Sequence, residues 1–355
     1  MDKQMLELYT NYLISSFSYT TATGLSKFLD GAISHDRVTR FLSQSDYTSK
    51  DLWRLVKPKV RQVESAEEGV IIFDDTIEEK PYTDENEIIA WYFDHSKNRM
   101  VKGVNILNCL YHVQDINIPV AFEIIRKDQT YTDPKTGKLK RTSSISKNEH
   151  LRSMLAICEK NQLKYKYVLT DTWFSSQENM VYIKVDLSKD FIMAIKENRL
   201  AAISLEDKKE GNWVRINSLP LEANTTLTVY LKGLDFPVLL VKQVFTNKDD
   251  SEGVLYLVCS DSTLNYSQIT TIYQKRWKVE EFHKSIKSNT ALAKSPTSTV
   301  RTQSNHFFAS IYAFFKLEQI KIVHQLNHFA IKSKIYITAL KASGSELQKL
   351  AEAAY

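Results

Sequence analysis

Glycine is scarce in this 355-residue chain, at 9 residues against a usual share of about 7%. Neither a GxxxxGK[ST] loop nor a GxGxxG turn occurs, which excludes nucleotide chemistry built on a glycine-rich phosphate cradle. Only three cysteines are present, Cys109, Cys158 and Cys259, and no two are close in sequence. An odd number of scattered thiols argues against a disulfide framework and for a reducing, cytoplasmic compartment. No apolar run reaches the roughly 18 residues that span a bilayer. The first residues, MDKQMLELYTNYLISSF, lack the charged-then-apolar order of an export signal. No membrane partner is expected. Charge of one sign is not in strong excess either: Lys and Arg number 47 against 42 Asp and Glu, a formal net charge of +5. A phosphate-bearing partner is permitted by this balance but not required.

What is present falls into segments of different period. Residues 1–66 carry apolar positions at helical spacing and no strand-like alternation. Within them ATGLSKFLDGAISHDRVTRFLSQ reads as a short helix, a turn at Asp30 and Gly31, and a second helix capped by Ser34. Such a helix-turn-helix would expose Arg37 and Arg40 to a DNA major groove, although helical hairpins that merely pack look the same.

From Gly69 the pattern becomes that of buried strands: GVIIFDD, then runs around 103–113 and 119–126, then YKYVLTD ending at Asp171, then DFIMAIK. Between them DQTYTDPKTGKLKRTSSISKNE reads as a basic exposed loop. Residues 200–263 alternate in several short segments, the signature of an inserted antiparallel module. A helix is expected over 269–288, followed by HFFASIYAFFKLEQIKIV, apolar nearly all round and therefore buried.

The segment YQKRWKVEEFHKSIK, residues 273–287, carries the chemistry. On one helix at about 100° per residue, Tyr273, Arg276, Glu280, Lys284 and Lys287 fall within a band of roughly 80°, opposite Ile272, Val279, Phe282 and Ile286. A solvated face with i,i+4 ion pairs gives the same pattern. Asp75 and Asp171, however, each end a buried apolar strand, where open α/β sheets place their sites. Asp74 and Asp75 are adjacent, and the period of two sends them to opposite faces; Asp75 is the expected site residue. Two aspartates and Glu280 would be hard oxygen ligands suited to Mg²⁺, with Mn²⁺ able to substitute. Two such ions can activate a water or 3′-hydroxyl for in-line attack on a phosphodiester. His112 and His283 show no partner in sequence and are left out of the catalytic set.

Tyr273, two residues, Arg276, three residues, Glu280, six residues, Lys287 resembles the YREK motif of DDE transposases of the insertion-sequence-four group, the transposon-five-like enzymes of bacterial mobile elements. FDDT and LTDTWF resemble the segments bearing that family's first two acids, the aspartate before Thr76 and Asp171. The resemblance covers roughly 69–320. It implies an α/β fold with an RNase H-like core and mixed sheet, an inserted antiparallel β module, and an N-terminal helical domain. It further implies catalytic and metal-binding roles for Asp75, Asp171 and Glu280, and DNA contacts from Tyr273, Arg276 and Lys287, beside which Lys284 would hold phosphates. Trp173 and Trp277 could stack on a displaced base, although core packing would explain either tryptophan. Double-stranded DNA, terminal inverted repeats, a target duplex and a second copy in a paired-end complex are the partners implied. The expected organisation is a DNA-binding region over 1–66, the core over 67–199, the inserted module over 200–266, the catalytic and closing helices over 267–325, and a short helical tail over 326–355. A nuclease that cuts without joining, or an inactive DNA-binding descendant, would share much of this pattern.

Overall fold

The computed structural model describes residues 2–95, 97–246 and 249–354; Met1, Ser96, Asn247, Lys248 and Tyr355, which the expected regions include, lie outside that description. Four helices open the chain: α1 (Lys3–Ser15), α2 (Ala22–Phe28), α3 (His35–Ser43) and α4 (Ser49–Val63). Asp30 and Gly31 take left-handed backbone angles between α2 and α3, and the Ser34 hydroxyl accepts a hydrogen bond from Arg37 N at 3.3 Å to cap α3.

Next come β1 (Val70–Glu79), β2 (Ala90–Asp94), β3 (Arg99–Val113), β4 (Ile116–Ile124), β5 (Gln129–Thr132), β6 (Leu139–Thr142), α5 (Lys147–Lys160), β7 (Tyr167–Thr170), α6 (Gln177–Val181) and β8 (Asp190–Ile195). Then β9 (Leu200–Ala202), α7 (Leu205–Glu210), β10 (Val214–Arg215), β11 (Thr226–Leu231), β12 (Val238–Thr246) and β13 (Glu252–Cys259) precede four closing helices. These are α8 (Tyr266–Gln274), α9 (Trp277–Asn289), α10 (Val300–His324) and α11 (His328–Glu352). None is long and apolar enough to cross a membrane.

Eleven strands form one mixed sheet. At its centre the order is β4-β3-β1-β7-β8, with β1 antiparallel to β3 and parallel to β7, and β7 parallel to β8. This α/β arrangement, three antiparallel strands followed by two parallel ones, is consistent with an RNase H-like core. The strands of residues 200–259 continue the same sheet, because β13 pairs antiparallel with β8 along Tyr256–Ile195 to Cys259–Ile192. The polar stretch expected as a loop is instead a two-stranded ribbon, β5 with β6, outside the main sheet; its cross-strand hydrogen bonds need no buried face to announce them.

The opening helices are not a separate lobe. They share one hydrophobic cluster with the sheet and α10. Asn305 of α10 donates to the carbonyls of Leu42 and Ser45 and accepts from Tyr47 N, and the Tyr9 hydroxyl meets His306 Nδ1 at 2.9 Å.

The expected single helix over 269–288 is two. Residues 275–276 are a turn in which Lys275 N and Arg276 N bond back three residues, to Ile272 O and Tyr273 O. Such i→i+3 closure tightens the backbone locally.

Gly103 is where β1, β2 and β3 meet, paired with both Glu79 and Ala90. A Cβ there would stand 2.2 Å from the Glu78 carbonyl oxygen, backbone that cannot swing away. Gly103→Ala is expected to lower unfolding stability by about 2 kcal/mol, read by urea denaturation; an unchanged midpoint would show that the three strands relax without cost.

Candidate active site

The parallel pairing of β1 with β7 sets the site. Its last paired rung is Ile72 with Leu169. Two residues further on along the chain come Asp74, in the middle of β1, and Asp171, just past the end of β7, so two carboxylates lie side by side after runs whose every residue is buried. The Asp74 partner on the other side is Asn108 of β3.

Helix α9 packs over this face. Arg276, just before it, donates through Nη1 to Asp74 Oδ2 at 3.3 Å and lies 3.7 Å from Glu280 Oε1. Asp74, Glu280 and His283 each offer a ligand atom, and these atoms lie within 4.8 Å of one another. Burial, followed by the charge of Asp171, pushes the Asp74 carboxyl up to about 8, despite the opposing pull of Arg276. Asp171 is raised as well, first by burial. Among the described residues the Arg276 guanidinium is the cation in direct contact with these acids.

Asp75, the aspartate expected in the site, points the other way. Lys147 of α5 donates to both its oxygens at 2.8 and 2.9 Å, and Asn105 Nδ2 donates to Oδ2 at 2.6 Å. The period of two does separate the adjacent acids, but it is Asp74 that shares the face with α9. The expectation is corrected on that ground.

His283, set aside on sequence, is buried on this same face. Its Nε2 accepts from Asn108 Nδ2 at 3.1 Å, and burial pulls the imidazole down to about 3, so the ring is neutral. The signal was the Glu280-x-x-His283 spacing, one turn apart on one helix face. The Oδ1 of Asn108 and the Nε of Arg276 are both buried without a partner.

The remaining expected residues are dispersed. Tyr273 is buried and its hydroxyl donates to Thr170 O at 3.2 Å, bracing β7 immediately before Asp171 rather than facing outward. The Lys287 Nζ donates to Ile77 O at 2.9 Å beside buried Glu78. Lys284 lies 5.1 Å over the Phe329 ring of α11 and makes no ion pair with the site carboxylates among the described residues. Arg37 and Arg40 are exposed on α3, Arg37 at 3.7 Å from Asp2. Trp173 and Trp277, 53% and 59% exposed, do not pack in the core; Lys147 lies 5.0 Å over the first and Arg276 5.0 Å over the second. A cleft of about 380 Å³ runs from Asp171, Arg276 and Trp277 to Gln243 and Phe245 of β12, so the strands after β8 supply one of its walls.

Family models bear on these segments. One described as DDE superfamily endonuclease matches residues 2–210, more than half of the chain, and one described as Transposase DDE domain matches residues 129–315. No curated protein sequence matches. Among solved structures, a chain of the Drosophila P element transposase strand transfer complex is similar at 11% identity with a TM-score of 0.27. That match covers 53% of this chain and 37% of the other, little more than a third of that relative.

The raised carboxyl of Asp74 gives a signed expectation. Its pKa is about 8 folded and near 3.8 in the unfolded chain. The folded state therefore holds the proton more tightly, a contribution complete below about pH 4 and lost as pH climbs through 8. In metal-free buffer Asp74→Asn should melt higher than the parent at alkaline pH, with the difference shrinking toward pH 4; parallel melting curves across that window would refute the assignment.

Proposed function

The chain belongs to the DDE superfamily of endonucleases and carries a transposase DDE domain, and from that premise we propose that it is a transposase that cleaves DNA at transposon ends and transfers the freed strands to a target duplex, using Asp74, Asp171 and Glu280 as its acids. The observation that carries this reading is that Asp74 and Glu280 meet at Arg276, with Asp171 leaving the neighbouring strand beside Asp74.

The donor set suits a divalent cation. Two carboxyls raised by burial, and an unpartnered Asn108 Oδ1 behind them, indicate charge and polarity that the protein alone does not satisfy. Mg²⁺ or Mn²⁺, as one ion or two, would be held by Asp74, Asp171 and Glu280, with neutral His283 as a nitrogen donor, and would supply a deprotonated water or 3′-hydroxyl and neutralise the leaving oxygen. Arg276, already among the acids, is placed to take a phosphate oxygen through its planar donors. Tyr273 positions Asp171 by fixing the end of β7. Trp277 offers an exposed ring beside the cleft for a displaced base. Arg37 and Arg40, exposed on α3, would read terminal repeats. Within the superfamily, the Tyr273, Arg276, Glu280 and Lys287 spacing favours the insertion-sequence-four group, whose members act as paired copies in the cytoplasm.

A strand cleavage and joining assay on the element's own ends with Mg²⁺ or Mn²⁺ tests this. Asp74→Asn, Asp171→Asn and Glu280→Gln should each lose about 10³-fold or more in both products, as when a member of one catalytic unit is removed. Asp75→Asn should lose about 10- to 100-fold, the scale of a supporting residue. A dead Asp75→Asn beside an active Asp74→Asn would return the first acid to Asp75, and cutting without joining would make the protein a nuclease.

Metal affinity gives a separate readout. Thermal stabilisation by Mn²⁺ should weaken by about 10- to 100-fold in apparent affinity on His283→Ala if the imidazole is a donor; unchanged stabilisation would remove His283 from the set.

A further inference from the structure

The ribbon of β5 and β6 has no role in the site as described. It forms its own two-stranded sheet, with Gln129 opposite Thr142, Thr130 opposite Arg141, Tyr131 opposite Lys140 and Thr132 opposite Leu139. Apart from half-buried Arg141, every residue of both strands is exposed, Leu139 to 73%. A lone hairpin is marginal in water. This one is held at both ends: Ser144 donates from its N and Oγ to Asp128 at 2.8 and 2.6 Å at the base. At the tip, Asp133 accepts from Lys135 N at 2.9 Å and pairs with Lys140, while Gly137 turns the chain at a φ of 65°.

The charge of the ribbon is one-sided. Asp133, its one acid between Gln129 and Ser144, is already taken by Lys140. That leaves Lys135, Lys138 and Arg141 with no acidic partner among the described residues. Three free cations on a preorganised, uncovered ribbon favour an anionic partner with regularly spaced charge.

Its place in the molecule narrows that partner. The chain leaves β6 and enters α5 at Lys147, whose ammonium bonds Asp75, the neighbour of Asp74, and lies over exposed Trp173. The root of the ribbon, at Ser144, is thus three residues along the chain from a lysine that bonds the neighbour of Asp74 and lies over Trp173, two residues past Asp171. A two-stranded ribbon has the cross-section of a duplex groove, and lysine and arginine on phosphates give binding without base reading.

We propose that the β5–β6 ribbon is a DNA clamp, contacting the phosphate backbone of duplex DNA next to the bond being cut through Lys135, Lys138 and Arg141. This rests on the DNA-cleaving reading above. Contacts of this kind are sequence-independent and dissolve in salt.

The test compares the full-length protein with the triple variant Lys135→Gln, Lys138→Gln, Arg141→Gln on a short duplex of arbitrary sequence, measuring affinity across a salt series. A control carries the same charge change at Lys334, Lys341 and Lys349 on α11. The ribbon variant should reduce the slope of log affinity against log salt by about one for each cation removed, with its melting temperature unchanged and the control's slope like the parent's. Equal slopes in parent and ribbon variant, or an equal fall in the control, would overturn the clamp while leaving the catalytic reading in place. No duplex binding by the parent would overturn both. Loss of self-association in the ribbon variant with its salt slope intact would assign the ribbon to a second copy of the chain, against the proposal.

Discussion

The burial of two carboxyls beside each other is the constraint about which this molecule is arranged. Parallel pairing of β1 with β7 forces Asp74 and Asp171 to emerge together, and helix α9 lowers Glu280 onto the same spot. Burial first, and then the neighbouring charges of Asp171 and Glu280, make the ionised form of Asp74 harder to reach. Arg276 is the one protein group that offsets this by direct contact, and it reaches Asp74 from a turn between two helices, not from within one. Burial is tolerated because the rest of the sheet is a continuous apolar core that holds the acids where they are. A site that is electrostatically uncomfortable when empty is well prepared for a cation and a phosphate.

The sequence disclosed the parts whose signals are local. GVIIF holds the buried first half of β1, which runs on past the two acids to Glu79, and YKYVLT holds β7, which stops just before Asp171. The FFASIYAFF run is the buried centre of α10. It did not disclose which of two adjacent aspartates faces α9, because the period of two separates them without saying which side the helix will cover. His283 is set aside on sequence for a related reason: its spacing from Glu280 is there to be read, but its partner Asn108 is 175 positions away and comes into reach through the sheet. The break at 275–276 has neither glycine nor proline to mark it. The pull of Arg276 toward Asp74 is a tertiary effect, so the helical wheel that gathered Tyr273 and Lys287 with Glu280 was drawn across a joint.

The helical layer also differs from a module joined by a tether. Asn305 alone binds three backbone groups at the end of α3 and just after it, and an amide buried in that manner must keep its partners or lose their hydrogen bonds together. The arginines on α3 are consequently at a fixed distance from the acids, since α10 touches both layers.

The strands that follow β8 have one more effect. By pairing with β8 they remove what would be a free edge of the central sheet and pass the edge along to β10, two residues long. At the other side, Ser49 of α4 both donates to and accepts from the backbone of Phe122, blunting β4. Short or occupied borders of this kind discourage a neighbour's strand, whereas the β2 end of the sheet keeps an edge at Ala90–Asp94. At the β10 and β4 borders a second copy of the chain would meet side chains and not a free strand.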